Sequence, residues 1–246
     1  MPAFAVILPA AGRSTRFGGK EKKPFVNIDG RAVWLRTAEQ FVNRPDVVQV
    51  ILLIAPDDRE LVQRRYGANL MFMEVKLVDG GTERFESVAN ALSHLKPEVD
   101  HVAVHDAVRP CTPEAVINGV FATAVQHGAA IAGLAVADTL KRVDGQVKVV
   151  ETVPRAGLWQ AQTPQAFRKD WLLDAYSRRA SLGAEITDDA QLVEAAGHPV
   201  RVAAGSSFNL KITTAEDIKL AAQFLKLREA ESKPKASRPF EDERFT

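Results

Sequence analysis

Residues 4–24 read FAVILPAAGRSTRFGGKEKKP. The first six, Phe4–Pro9, are apolar without interruption, which suits a strand buried on both faces of a sheet. A turn of small residues follows, and then a basic loop. Between residues 13 and 23 lie five cations, Arg13, Arg16, Lys20, Lys22 and Lys23, against one anion, Glu21. In open α/β sheets ligands bind beyond the carboxyl ends of the strands. Small residues let backbone N–H groups come close to a phosphate, and arginine and lysine add charge and forked donors. The stretch therefore reads as a phosphate-binding loop at a strand end, although the same composition also suits a solvated surface loop. It holds neither G-x-x-x-x-G-K-[ST] nor G-x-G-x-x-G, which argues against a P-loop ATPase and a nicotinamide enzyme.

Outward from this loop, apolar runs alternate with amphipathic ones. Helical spacing is expected over Val33–Val42, 58–66, 84–95 and 113–126, with strands over 48–55, 74–78, 101–105 and 129–136. This alternation predicts an α/β fold, a mostly parallel sheet with helices on both faces. The pattern changes over 138–154, where Leu140, Val143, Val147, Val149 and Val150 alternate with polar residues around an Asp144-Gly145 turn. That predicts a β-hairpin or arm projecting from the body. Helices are expected again over 168–182 and 188–196, then a strand over 200–203 and a last helix over 215–230. A single domain over 1–230 results. The Lys, Glu, Pro and Ser-rich stretch 231–246 is expected to be a disordered tail.

Composition narrows the function classes. At 246 residues the chain is long enough to bury about three quarters of its unfolded surface without disulfides, and its one cysteine, Cys111, fits a reducing, cytoplasmic setting. Net charge is +1, which argues against a nucleic-acid partner. No run of 18 apolar residues exists, so no membrane span is expected.

Four further segments carry candidate chemistry. DGGTERFESV (79–88) places a Gly-Gly turn before a helix with Arg84 and Ser87 in its first turns, a site for an anion or simply a serine near a helix cap. VHDAVRP (104–110) places Asp106 just after a strand, where a carboxylate suits magnesium or forms a turn; His105 reads as packed. RAGLWQAQTPQ (155–165) and NLKIT (209–213) each bring a cation, Arg155 and Lys211, to a strand or arm end. Asp188 and Asp189 open a helix, and capping is sufficient reason for both.

In order, PAAGRSTRF…KKP, DGGTERFESV, VHDAVRP, ADTLKRV, RAGLWQAQTPQAF, EITDDAQLVE and NLKITTAEDIKLA resemble the 2-C-methyl-D-erythritol 4-phosphate cytidylyltransferase family over residues 4–228. The resemblance implies a Rossmann-like sheet with a β-arm near 138–157 that clasps a second subunit, giving a homodimer whose arms complete each other's sites. It implies cytidylyl transfer from CTP to a polyol phosphate, with Mg2+. By the same resemblance Arg16 and Lys23 stabilise the transition state, and Ala10, Ala11, Gly12, Gly80, Arg84, Ser87, Asp106 and Ala107 hold the nucleotide, Asp106 at its metal end. Arg155 and Lys211 orient the substrate phosphate, with Thr139, Arg109 and Thr187 in the same pocket. This chain departs from the family's pattern at Ser14, where a second glycine is usual, and at Lys22-Lys23-Pro24, where Pro-Lys-Gln is usual; the latter leaves Lys22 as a contender for the role of Lys23. The chain stops soon after its last helix, so the fused cyclodiphosphate synthase domain of bifunctional relatives is not expected. The rival readings are a ribitol 5-phosphate cytidylyltransferase and, from another class, a nucleotide-binding regulator without chemistry.

Overall fold

The computed structural model describes residues 1–12, 21–179 and 186–232. Seven strands form one sheet: β1 (Phe4–Pro9), β4 (Val47–Ile54), β5 (Val75–Asp79), β6 (His101–Val104), β7 (Ala129–Ala135), β10 (Trp159–Arg168) and β11 (Arg201–Ala204), in the order β11-β7-β10-β6-β1-β4-β5. Neighbours pair in parallel except at β10, which runs antiparallel to both β6 and β7. The expected mostly parallel sheet is therefore present. Two small hairpins stand apart from it, β2 (Asn27–Ile28) with β3 (Arg31–Ala32), and β8 (Leu140–Val143) with β9 (Val149–Val153).

Seven helices are described: α1 (Val33–Val42), α2 (Arg59–Phe72), α3 (Arg84–Leu92), α4 (Glu114–His127), α5 (Lys169–Ser177), α6 (Asp189–Ala195) and α7 (Ala215–Ser232). The apolar run of β1 shows why they cover both faces. Successive strand side chains point to opposite sides. Phe4, Val6 and Leu8 join α1, α2 and α4 in one core layer, whereas Ala5 and Ile7 join α3, α5 and α6 in the other. A third cluster packs Ala221 and Leu225 of α7 on Val108, Cys111 and Ile212. Cys111 is buried there, as a packed thiol.

The structure differs from the sequence expectations in several places. β10 was not foreseen, because Gln162, Thr163, Pro164 and Gln165 lack the apolar run of an inner strand. The pairing register shifts between Ala161 and Gln165, and a proline is tolerated at such an irregularity. α2 runs six residues past the expected end, through Met71 and Phe72, which are exposed and so leave no apolar stripe to read. α5 stops at Ser177 rather than 182. α7 continues to Ser232, two residues into the expected tail; the remainder, 233–246, lies outside the described residues.

The expected arm is the β8–β9 hairpin. Asp144 Oδ1 ties its turn by accepting from the N–H groups of Gln146 and Lys148. Val147, Val149 and Val150 are 78%, 55% and 62% exposed, so this hairpin buries no apolar face within its own chain.

Candidate active site

The carboxyl ends of β1, β5 and β6 open on one cleft. It is lined by Pro9–Gly12, Lys23, Pro24, the 81–84 turn, Ser87, Asp106, Val108 and Lys211. Parallel pairing alone brings three loops, distant in sequence, to the same end of the sheet.

Each wall has a local cause. Ala10 N–H donates to the Leu53 carbonyl at 2.7 Å, which extends the β1–β4 ladder by one bond and fixes the start of the basic turn. Gly80 N–H donates to the Ile54 carbonyl at 2.7 Å. A Cβ on Gly80 would stand 2.8 Å from both Ala11 Cβ and Ser87 Oγ, so glycine lets the loop after β1 and the start of α3 touch. Gly80 thus supports the wall, and its neighbour Gly81 faces the cleft. Helix α3 is capped by a reciprocal box: Glu83 serves as N-cap, and Glu86 Oε2 accepts from Thr82 N–H at 2.8 Å and Glu83 N–H at 3.2 Å. The Thr82 hydroxyl, which donates to the same oxygen at 2.8 Å, and these N–H groups together hold the Glu86 carboxyl below its ordinary range. Ser87 is not the cap. Its buried hydroxyl donates to the Glu83 carbonyl and accepts from Gly81 N–H, both at 3.0 Å.

Lys23 and Lys22 separate cleanly. Lys22 Nζ lies 2.6 Å from Asp58 Oδ2, a carboxylate whose side chain is 12% exposed, and takes no part in lining the cleft. Lys23 sits in a 3-10 turn, Lys23–Phe25, and lines it. The turn is held from α2 by Arg65 pairing with Glu21 and by the Tyr66 hydroxyl, which donates to the Phe25 carbonyl at 3.3 Å. Lys22→Ala is therefore expected to keep turnover within about threefold of the parent, the scale of a lost partly exposed ion pair; a hundredfold loss in a steady-state assay would hand Lys22 the catalytic role.

Asp106 is the charge centre. Arg109 Nε donates to its Oδ2 at 3.0 Å, and Lys211 Nζ lies 3.1 Å from the same oxygen. Its N–H donates to Thr163 Oγ1 at 3.1 Å, which shows what the antiparallel strand contributes. Burial pushes the carboxyl up, but Lys211, Arg109 and Arg84 together outweigh it and hold Asp106 well below the usual range. Behind it a buried network ties the loops together. Arg109 Nη1 donates to the Asn209 carbonyl at 2.6 Å, Asn209 Nδ2 donates to the Thr163 carbonyl at 2.8 Å, and the Thr112 hydroxyl donates to Asn209 Oδ1 at 2.8 Å. His105 packs on Phe41 and is fully buried. Burial, helped by Arg109, pushes it down to about 3, so it is a neutral core residue.

The structure brings together Ala10, Ala11, Gly12, Lys23, Arg84, Ser87, Asp106 and Lys211. Ala107 is fully buried, with its carbonyl accepting from the Thr37 hydroxyl, and Arg109 spends its donors on Asp106 and Asn209; neither lines the cleft. Thr187 is exposed and bonds Gln191 at the start of α6. Thr139 and Arg155 are exposed residues at the two ends of the hairpin and are not part of their own chain's cleft. Arg16 and Ser14 lie outside the described residues. The Gly-Gly turn marked Gly81, but Thr82 and Glu83 carry no signal of their own in the sequence, and neither do Thr163 and Asn209, which only the fold places beneath Asp106.

A family model described as 2-C-methyl-D-erythritol 4-phosphate cytidylyltransferase matches residues 4–227. The chain is 42% identical to the bifunctional enzyme IspD/IspF of Rhodospirillum rubrum over 92% of its own length, spanning 58% of that protein. It is 40% identical to the 2-C-methyl-D-erythritol 4-phosphate cytidylyltransferase of Solibacter usitatus, with 93% of this chain and 98% of that one covered. It superposes on the crystal structure of 4-diphosphocytidyl-2C-methyl-D-erythritol synthase from Anaerococcus prevotii with a TM-score of 0.76 at 29% identity, covering 92% and 96% of the two chains.

Proposed function

The chain belongs to the 2-C-methyl-D-erythritol 4-phosphate cytidylyltransferase family, and on that premise we propose how its cleft moves a cytidylyl group from CTP to 2-C-methyl-D-erythritol 4-phosphate, releasing pyrophosphate for isoprenoid synthesis. One observation carries the reading: Lys23, Arg84 and Lys211 converge with a single strongly ionised carboxylate, Asp106, on one cleft at the carboxyl ends of the strands.

An anionic phosphate monoester must attack the anionic α-phosphate of CTP. Repulsion between the reactants, and charge growing on the transferred phosphoryl group, are the obstacles; fixed cations and correct placement remove them. Lys23, from the 3-10 turn, supplies charge on the nucleotide side. Arg16 joins it on the strength of the family resemblance. The backbone of residues 10–12, with Gly81 and Ser87, cradles the nucleotide. Lys211, held beside Asp106, receives the monoester phosphate and directs its oxygen at the α-phosphate.

Magnesium belongs to the same proposal. Among the described residues no group of three potential ligand side chains exists. The cleft carboxylates are Asp106 and Glu83, and Glu83 is engaged as a helix cap. A single ionised carboxylate suits a cation that is commonly bound by one or two carboxylates plus substrate phosphates. When bound, it would neutralise the triphosphate and the departing pyrophosphate.

Homodimerisation through the hairpin is likewise proposed. The exposed valines of β8–β9 and the absence of Thr139 and Arg155 from their own chain's cleft support a site completed by a second subunit's arm. Mixing Lys23→Ala and Arg155→Ala chains tests it. In a two-fold dimer, half the random pairs are mixed and each holds one intact site, so about a quarter of parental activity returns. No recovery above the separate variants refutes the shared site. No described helix is long and apolar enough to cross a membrane. We place the enzyme in the cytoplasm, where its substrate CTP is available.

The decisive assay is pyrophosphate release from CTP and methylerythritol phosphate, with and without magnesium, and with ribitol 5-phosphate as the control acceptor. Faster turnover with ribitol phosphate would move the chain to the rival substrate. Binding of CTP without release would make it a regulator.

A further inference from the structure

Asp189 is a carboxylate with 1% exposure, set directly behind the nucleotide wall. Helix capping does not account for it. The N-cap of α6 is Asp188, whose Oδ1 accepts from Gln191 N–H at 2.9 Å and whose Oδ2 accepts from Gln165 Nε2 at 2.8 Å. Asp189 instead turns inward. Its Oδ1 accepts the Tyr176 hydroxyl from α5 at 2.6 Å, and its Oδ2 lies 2.6 Å from Arg84 Nη2. Arg84 is the member of this trio that lines the cleft, and its side chain is 35% exposed.

A buried carboxylate is costly unless it is paired, so a buried ion pair is weak evidence for stability and better evidence for a placement role. Here the pairing is one-sided. The acid is sealed, and the base reaches from the acid to the ligand space. Ordering a rotamer-rich side chain before the ligand arrives lowers the cost of binding. Arg84 also feels the Asp106 carboxylate, so acids from the start of α6 and from the loop after β6 both favour its charge. Burial favours loss of its charge, but Asp189 outweighs that and holds Arg84 firmly protonated.

We propose that Asp189 is a positioning residue for the reaction: it anchors Arg84 so that the guanidinium is already in place for the nucleotide when CTP enters the cleft. It acts only through Arg84 and touches no reacting atom. Tyr176 satisfies the carboxylate's other oxygen from α5. The inference rests on the reading of this cleft as the CTP site.

The test is a double-mutant cycle on CTP affinity in the full-length protein. Asp189→Asn keeps an acceptor for Tyr176 and removes the charge. It is expected to raise KM for CTP about tenfold, the scale of one charge-assisted hydrogen bond, with KM for the polyol phosphate within about twofold. Arg84→Ala is expected to raise KM for CTP at least as far, and Asp189→Asn to add nothing in that background. Tyr176→Phe is expected to leave KM for CTP within about twofold. A merely structural tie between α5 and α6 gives the opposite pattern: both KM values move together, Tyr176→Phe matches Asp189→Asn, and the Arg84 and Asp189 effects multiply. That pattern overturns the assignment. If Asp189→Asn does not fold, Asp189→Glu replaces it, because its longer stem displaces Arg84 while keeping the charge. A raised KM for CTP alone then supports the role, and unchanged values for both substrates overturn it. Failure of the parent protein to release pyrophosphate from CTP would remove the functional reading itself, whereas normal parental turnover with multiplying effects removes only the role of Asp189.

Discussion

Lys23→Ala is expected to lower kcat for pyrophosphate release by roughly two to three decades, with a much smaller change in KM for CTP. The magnitude is that of deleting one preorganised donor that meets charge growing in the transition state. The asymmetry follows from the same cause, since an interaction that strengthens at the transition state appears in kcat and not in ground-state binding. The geometry makes the residue specific. The turn bearing Lys23 is pinned from α2 through Glu21 and Phe25, and the ammonium of Lys22 is turned to Asp58 just before that helix, so the preceding lysine is poorly placed to substitute. Steady-state kinetics at saturating substrates decide it. A variant retaining more than a tenth of parental kcat sinks the assignment. Arg16→Ala carries the same expectation from the family resemblance.

A comparable loss, about a hundredfold in kcat/KM, is expected for Asp106→Asn. The change removes the cleft's ionised metal candidate, and it also leaves Arg109 and Lys211 without the negative charge they share. Truncating one member of a buried charge pair costs more than the pair contributes, because the remaining charge is left uncompensated. Lys211 then loses its anchor, so KM for the polyol phosphate should rise with the fall in kcat. Titrating magnesium against activity checks the metal part: the half-saturating concentration should increase in the variant, and an unchanged value would separate Asp106 from the metal. The pH dependence has a definite sign. The folded-state carboxyl is held below its unfolded value, so its contribution is present above the ordinary aspartate range and is lost only as pH falls below it. Protonation of Asp106 should therefore leave no inflection in the activity profile near neutral pH.

Much of the sheet is visible in the primary sequence because burial on two faces leaves an unbroken apolar run. Phe4–Pro9, residues 50–54 of β4 and Ala129–Ala135 carry that signature, and α1 shows its helical stripe. The elements that escaped notice lack such a record. The inward residues of β10 include glutamine and threonine, whose amide and hydroxyl groups are satisfied by partners far along the chain: Gln165 at α6, Thr163 at Asp106. A window of ten residues holds none of those partners. The β2–β3 hairpin was legible through Asp29-Gly30, which supplies the positive φ values that the turn requires, and was passed over.

The site divides along the same line. Sequence by itself determined the alternating α/β order, the projecting hairpin, the basic loop at the end of the first strand and, through its ordered motifs, the family. Those features are written in local composition and spacing, which need no knowledge of distant contacts. Tertiary structure alone decided which residues meet. It brought Lys23, Gly81, Arg84, Asp106 and Lys211 to one cleft and left Thr139 and Arg155 on the hairpin. It also set Lys23 in the cleft and Lys22 against Asp58, and it paired Asp189 with Arg84. The physical reason is that charge placement depends on which burial and which counter-ion each side chain finds, and both come from elements separated by tens of residues. The loop that opens after Phe4–Pro9 has the composition to hold a phosphate; the fold behind it brings fixed charges from distant elements to the same cleft.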